Sequence, residues 1–271
     1  MTLVMGIVNV TPDSFSDGGR YVDAEAAIDH GLALLAAGAD ILDIGGESTR
    51  PGAERVDPAE ERARVIPVIE ALSGTGAMLS VDTMNAETAV AAVAAGARMV
   101  NDVSGGLADP EMLGAVAASG ADIVLQHWRG HSADMYADAS YTDVGRELLH
   151  ELKVRLRAAA KAGISPDRVV LDPGIGFGKQ GDQNWRALRA LDRIVALGPR
   201  VLVGTSRKRF LAETLEATGA PGEVDEARRD LATAVTSVLA ARAGAWAVRV
   251  HDVTATRDAL AVAQAWEQGG I

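Results

Sequence analysis

The residues of this chain that could do chemistry stand where its apolar runs stop. Asn9 is at the end of the run 4–10, Asp43 lies in 41–46, Asp82 comes near the end of 78–83, and Asn101 with Asp102 lies in 98–104. Further along, Gln126 and His127 fall in 122–128, Asp172 in 168–174, Ser206 ends 200–206 ahead of Arg207 and Lys208, and Arg249 and His251 end 245–251. One Asp or Asn after a strand is ordinarily a helix N-cap, and Thr83, Asp102 and Asp252 are read that way. Caps alone explain poorly a whole set of carboxylates, amides and cations. Asp82, Asn101 and Asp172 have no metal-ligand spacing. They suit a flat heterocycle with several N–H donors, because carboxylates accept and an amide both donates and accepts. Lys208, Arg249 and His251 form a separate cation cluster. Arg can hold two phosphate oxygens at once and Lys is a compact charge; a structural ion pair with a barrel carboxylate is the other use open to Arg249. His127 beside Trp128 reads as a core histidine, while His30 and His150 fall in helical stretches and read as surface.

These side chains need elements to hold them. The eight apolar runs, 4–10, 41–46, 78–83, 98–104, 122–128, 168–174, 200–206 and 245–251, are rich in aliphatic and β-branched residues without polar alternation. That is the pattern of parallel strands buried on both faces. Ala-rich amphipathic stretches lie between them, several ending in a glycine suited to a left-handed cap: Gly38, Gly96, Gly120, Gly163 and Gly244. Eight βα units in 271 residues predict an α/β protein, a (β/α)₈ TIM barrel in one domain over 1–271, with an open doubly wound sheet as the alternative. The longest non-helical insertions follow the first, second, fifth and seventh runs, at the catalytic face of a barrel. The cations lie after the seventh and eighth runs, where barrels often bind phosphate.

Composition narrows the partners. The net charge of −11 argues against nucleic acid and anionic membranes, so an anionic ligand needs a local group of cations. No run reaches the ~20 apolar residues of a membrane span, and the opening MTLVMGIVNV lacks the basic flank of a signal peptide. The absence of cysteine excludes disulfides and thiolate metal sites and fits a cytoplasmic location.

Two glycine-rich segments and one polar loop remain. DIGGESTRPG (43–52) places Ser48, Thr49, Arg50 and Pro51 in a partly rigid loop, and LDPGIGFGK (171–179) surrounds Phe177 with glycines. GIGFGK is not a P-loop, because Gln180 follows Lys179 where Ser or Thr is needed. The stretch 10–19, VTPDSFSDGG, carries more hydrogen-bonding capacity than a connector needs: either it is a solvated loop or it closes over something polar.

Taken together, NVTPDSFSDGG (9–19), DIGGESTRPGA (43–53), SVDT (80–83), NDVSGG (101–106), DPGIGFGK (172–179), SRK (206–208) and RVHDV (249–253) resemble dihydropteroate synthase along nearly the whole chain. The resemblance, to bacterial and in particular actinobacterial members, implies a TIM barrel that joins 4-aminobenzoate to 6-hydroxymethyl-7,8-dihydropterin diphosphate with release of pyrophosphate, in folate synthesis. It implies Mg²⁺ as cofactor with Asn9 as a ligand, sensitivity to sulfonamides, and a homodimer. It places Asp82, Asn101, Asp172 and Lys208 on the pterin, with Asp43 and Gln126 also in the substrate pocket. Arg249 and His251 go to the diphosphate, and Phe177, Ser206, Lys208, Thr49, Arg50 and Pro51 surround the aminobenzoate. Phe15, Ser16 and Asp17 lie in a lid, where Asp17 joins Lys208, Arg249 and His251 as a catalytic group. No general base is nominated. Two departures touch the pocket: Gln126 replaces a Met frequent in the family, and Arg209 follows SRK where many members have Ser. A pterin-binding methyltransferase domain and a non-catalytic pterin-binding paralogue are the alternatives.

Overall fold

The computed structural model describes residues 1–10, 20–48, 52, 55–131, 136, 139–219 and 222–269. Phe15, Ser16, Asp17, Thr49, Arg50 and Pro51, expected in the two loops over the mouth, lie outside the described residues. Eight parallel strands close in chain order into a barrel: β1 (Leu3–Asn9), β2 (Ile41–Gly45), β3 (Met78–Asp82), β4 (Met99–Asp102), β5 (Asp122–Gln126), β6 (Val169–Asp172), β7 (Arg200–Val203) and β8 (Ala247–Val250). Closure is made by β8 against β1, with Leu3 opposite Ala247 and Met5 opposite Arg249. Each strand starts within two residues of an expected run and ends one to three residues short of it, because the hydrogen-bonded ladder stops before the end of the apolar run.

The helices are α1 (Arg20–Ala36), α2 (Pro58–Leu72), α3 (Ala86–Ala95), α4 (Met112–Ser119), α5 (Val144–Lys161), α6 (Asp182–Leu188), α7 (Leu191–Val195), α8 (Arg209–Ala217), α9 (Glu226–Arg242) and α10 (Val253–Gln268). The five cap glycines all have φ between 78° and 123°. Asp252 caps α10 through a 2.9 Å bond from the Ala255 N–H, as expected. Asp102 does something different: it accepts from the backbone of Ser104 and Gly106 at 2.8 and 2.7 Å, folding a turn ten residues ahead of α4. The long non-helical insertion expected after β7 is also corrected. Arg209 starts α8 directly after Lys208, so a short bend and a helix stand there, whereas the run after β6 stays non-helical from 173 to 181.

Two apolar clusters hold the barrel. The larger lies between strands and helices, with Val8, Leu42, Ile69, Leu79, Leu125, Leu171 and Val250 among its members. The smaller fills the barrel interior: Met5, Ile41, Met99, Val124, Val170, Leu202 and Ala247, all fully buried. Side chains two residues apart on a strand face the same way. Stepping two residues toward the C-terminal end from Ile41, Met99, Val124, Val170 and Ala247 gives Asp43, Asn101, Gln126, Asp172 and Arg249. The polar set is therefore the inward layer directly above the apolar plug. No described helix is long and apolar enough to cross a membrane.

Candidate active site at the barrel mouth

On the β2–β4 side, the layer is wired by direct side-chain bonds. Asp43 is completely buried, and its Oδ2 accepts 2.8 Å from Asn101 Nδ2 and 2.6 Å from Arg249 Nε. Arg249 reaches on through Nη2 to Asp82 Oδ2 at 2.8 Å. The ion-pair use of Arg249, left open by the sequence, is thus realised, with carboxylates from two strands. Among the described residues Asp43 Oδ1 is buried without a partner, so Asp43 stands behind Asn101 and Arg249 and supports them. Burial, reinforced by the charges of Asp43, Glu61 and Asp102, raises the Asp82 carboxyl against the pull of Arg249. The turn beyond Asp82 is fixed from outside by the buried Glu61 of α2, which accepts 2.9 Å from Thr83 Oγ1 and 2.8 Å from Asn85 Nδ2.

On the β5–β7 side, backbone does more of the work. Asp172 Oδ1 accepts from the Gly174 N–H at 2.6 Å, and burial raises this carboxyl while Lys208 opposes the rise. Lys208 Nζ donates to the Ile175 carbonyl and sits 4.8 Å from the Phe177 ring centroid. Burial brings the Lys208 ammonium down to about 8 despite the attraction of Asp172. Gln126, opposite Asp172 in the ladder, donates 3.2 Å to the Val103 carbonyl. Ser206 Oγ lies 2.8 Å from His251 Nδ1 and accepts 3.0 Å from the His251 N–H, so two successive strand ends are tied together. The bend between Ser206 and Lys208 passes through Arg207, at φ 55° the one non-glycine among the described residues in the left-handed region. Its guanidinium is held in a two-pronged pair to Asp230 of α9 at 2.8 Å.

Asn9, at the end of β1, faces the same mouth as Gly45 across the ladder, and no hydrogen bond holds its side chain among the described residues. No group of three or more described His, Asp or Glu could cage a metal ion. One amide oxygen matches a Mg²⁺ that keeps its waters and takes its other ligands from a substrate's phosphates. The expected loop over β2 is anchored at its base, where Glu47 lies 2.9 Å from Arg55 Nε and accepts 3.0 Å from the Val56 N–H.

Sequence reasoning missed three of these parts. Glu61 and Arg207 lie off the strands and give no local signal. Lys179, noted only as part of a failed P-loop match, is 1% exposed beneath the β6 turn. His127 is the buried core histidine expected, its Nδ1 3.0 Å from Lys179 Nζ. His150 is exposed as expected; exposed His30 in addition lies 3.2 Å from the Ile7 carbonyl.

Comparison with known proteins agrees with this geometry. Residues 5–251 match the family described as pterin binding enzyme. A dihydropteroate synthase of Mycobacterium leprae is 51% identical over 269 residues, covering 98% of this chain and 94% of its own length. A solved dihydropteroate synthase of Xanthomonas albilineans with 4-aminobenzoic acid superposes with a TM-score of 0.89 at 49% identity, over 98% of this chain and 93% of that one. A second structure of the Xanthomonas enzyme, in complex with 7,8-dihydropteroate, gives a TM-score of 0.85 at 46% identity, over 98% and 94%. The eight-stranded barrel that carries this polar layer is thus similar over nearly its whole length to enzymes of one kind, and this chain belongs to the pterin binding enzyme family, among its dihydropteroate synthases.

Proposed function

We propose that this mouth joins 4-aminobenzoate to 6-hydroxymethyl-7,8-dihydropterin diphosphate, giving 7,8-dihydropteroate and pyrophosphate for folate synthesis. The observation that carries the assignment is one barrel mouth in which the carboxylates and amide of Asp82, Asn101 and Asp172 stand beside the cations Arg249 and Lys208. The flat pterin, rich in N–H donors, is held by Asp82, Asn101 and Asp172, with Gln126 on one wall. Asp43 keeps Asn101 and Arg249 aimed from behind. Arg249, whose Nη1 is uncommitted among the described residues, and His251 take the diphosphate. Lys208 lies between the two substrates. Phe177, Ser206 and the loop residues Thr49, Arg50 and Pro51 enclose the aminobenzoate, and Phe15, Ser16 and Asp17 close over the site.

The reaction is a displacement at the exocyclic methylene carbon. The C–O bond to the diphosphate breaks with its electron pair going to oxygen, the arylamine nitrogen forms the C–N bond, and one amine proton leaves to the released pyrophosphate or solvent. Lys208, Arg249 and His251 stabilise charge growing on the departing group. Asp82, Asp172 and Asp17 offset the positive charge left on the pterin methylene. The arylamine needs orientation more than a strong base, which the Phe177 wall and Ser206 supply. Asn9 would hold a Mg²⁺ that takes its other ligands from diphosphate and water, and when bound the ion would supply charge neutralisation at the leaving group.

The same reading makes the protein a single domain over 1–271, cytoplasmic and a target of sulfonamides, which imitate the aminobenzoate. It also makes it a homodimer. Support for the dimer comes from α9 and α10, where Leu231, Val235 and Leu239 recur every fourth residue and are more than half exposed, beside Val262 at 70% and Trp266 at 82%. The deciding experiment is a coupled assay with purified protein, the pterin diphosphate, labelled 4-aminobenzoate and Mg²⁺. Product that EDTA stops and a sulfonamide suppresses supports the whole reading. Product insensitive to the drug removes the sulfonamide part. No product despite pterin diphosphate binding means a non-catalytic paralogue.

A further inference from the structure

Lys179 is the largest side chain buried to within 2% of completely in this protein, and the chemistry above does not use it. An ammonium so placed is costly unless each of its three donors finds an acceptor. Here each does. Nζ donates to the Gly174 carbonyl at 2.9 Å and to the Phe177 carbonyl at 3.0 Å, and lies 3.0 Å from His127 Nδ1. Burial and the neighbouring ammonium push His127 down to about 4. The imidazole is therefore neutral, accepts at Nδ1, and carries its proton on Nε2, which lies 2.9 Å from Glu151 Oε2. Glu151 is gripped in turn by Arg129. The charge under the β6 turn is thus braced outward to α5.

The direction of the carbonyls is informative. Gly174 and Phe177 turn theirs inward to Lys179, while Ile175, between them, turns its carbonyl outward to accept from Lys208. Two lysines share one five-residue turn from opposite sides. Glycine is required for this: Gly174 has φ 61° and a Cβ there would lie 2.2 Å from the His127 carbonyl oxygen, and Gly176 has φ 82° with a Cβ 2.8 Å from Lys208 Cδ. Asn184 of α6 adds one bond, accepting 2.7 Å from the Gly176 N–H. Without the Lys179 amine, the turn loses two of the bonds that aim the Ile175 carbonyl and Phe177.

We infer that Lys179 is a positioning residue: by drawing the Gly174 and Phe177 carbonyls together, it sets the Phe177 ring and the Ile175 carbonyl against Lys208 and so shapes the pocket for the arylamine substrate. The inference rests on the proposed placement of Phe177 and Lys208 beside that substrate.

The test has a kinetic and a spectroscopic part. In Lys179→Met the length is kept and the donors are lost. The expected result is a KM for 4-aminobenzoate raised about tenfold or more, with the KM for the pterin diphosphate within about twofold of the parent. Equal increases for both substrates, or none, overturn the inference. With three phenylalanines in the chain, the protein can be labelled with 4-fluorophenylalanine and the Phe177 resonance assigned by Phe177→Leu. Lys179→Met is expected to move the Phe177 resonance and leave that of Phe210; an unmoved Phe177 resonance overturns it. Should Lys179→Met fail to fold, His127→Leu removes one acceptor of three and is expected to give the same selective rise, about threefold, with an equal rise for both substrates counting against the inference. The fluorine readout needs no turnover. A parent protein that makes no product would sink the functional reading while this part still decides the role of Lys179.

Discussion

The two halves of the mouth are built in different ways. Between β2 and β4, and across to β8, side chain holds side chain: Asp43 to Asn101 and Arg249, and Arg249 to Asp82. Between β6 and β7, side chains are held by backbone: Asp172 by a Gly174 N–H and Lys208 by the Ile175 carbonyl. Strands buried on both faces cannot shift without disturbing the core, so the first half is preorganised for one rigid heterocycle. The second half depends on a turn of glycines and on what braces that turn. It is the half in which sequence change retunes the pocket without dismantling the barrel.

That contrast can be broken most severely at Lys208, which belongs to the turn side and in the proposed function lies between both substrates. Lys208→Ala is expected to lower kcat/KM about 10³-fold with an unchanged circular dichroism spectrum; a rate near the parent's would remove Lys208 from the site. Because burial brings its ammonium down to about 8, the charge is present below that pH and lost as pH rises through it. The kcat/KM profile should therefore fall on the alkaline side near pH 8, and in Lys208→Arg that limb should disappear. Asp82→Asn comes next. It removes one of the two carboxylates that hold Arg249, and the KM for the pterin diphosphate should rise about tenfold to a hundredfold, measured by steady-state kinetics. Gly176→Ala probes the turn: it strains a φ of 82° and crowds Lys208, and should cost about 1–3 kcal/mol in denaturant unfolding while impairing the 4-aminobenzoate step. The smallest effect belongs to Arg209. It is 86% exposed and, among the described residues, pairs with Glu213, one turn on in α8, so Arg209→Ser should alter the sulfonamide inhibition constant and the KM for 4-aminobenzoate less than about twofold. A larger change would place Arg209 at the rim of the pocket.

The barrel was legible because its signal is local. Each strand carries its own apolar run and five of the helices end at a glycine of positive φ, so eight repeats point to one architecture. The inward polar layer was legible for a related reason: Asp43, Asn101, Gln126, Asp172 and Arg249 lie two residues beyond buried apolar residues, where period two carries them inward. What stayed hidden depends on distance along the chain. Arg249 and Asp43 are 206 residues apart and Lys179 and His127 are 52 apart, and no pattern along one segment announces such a pair. Arg207 was silent for another reason, since a non-glycine at positive φ is imposed by its bonds to α9. The insertion after β7 was misjudged because the loop ends in a helix whose polar start resembles more loop.

The apolar plug of Met5, Ile41, Met99, Val124, Val170, Leu202 and Ala247 has a consequence for traffic. A barrel stoppered at one end is a cup. In the proposed reaction both substrates come in, and pyrophosphate goes out, on the open side of that floor.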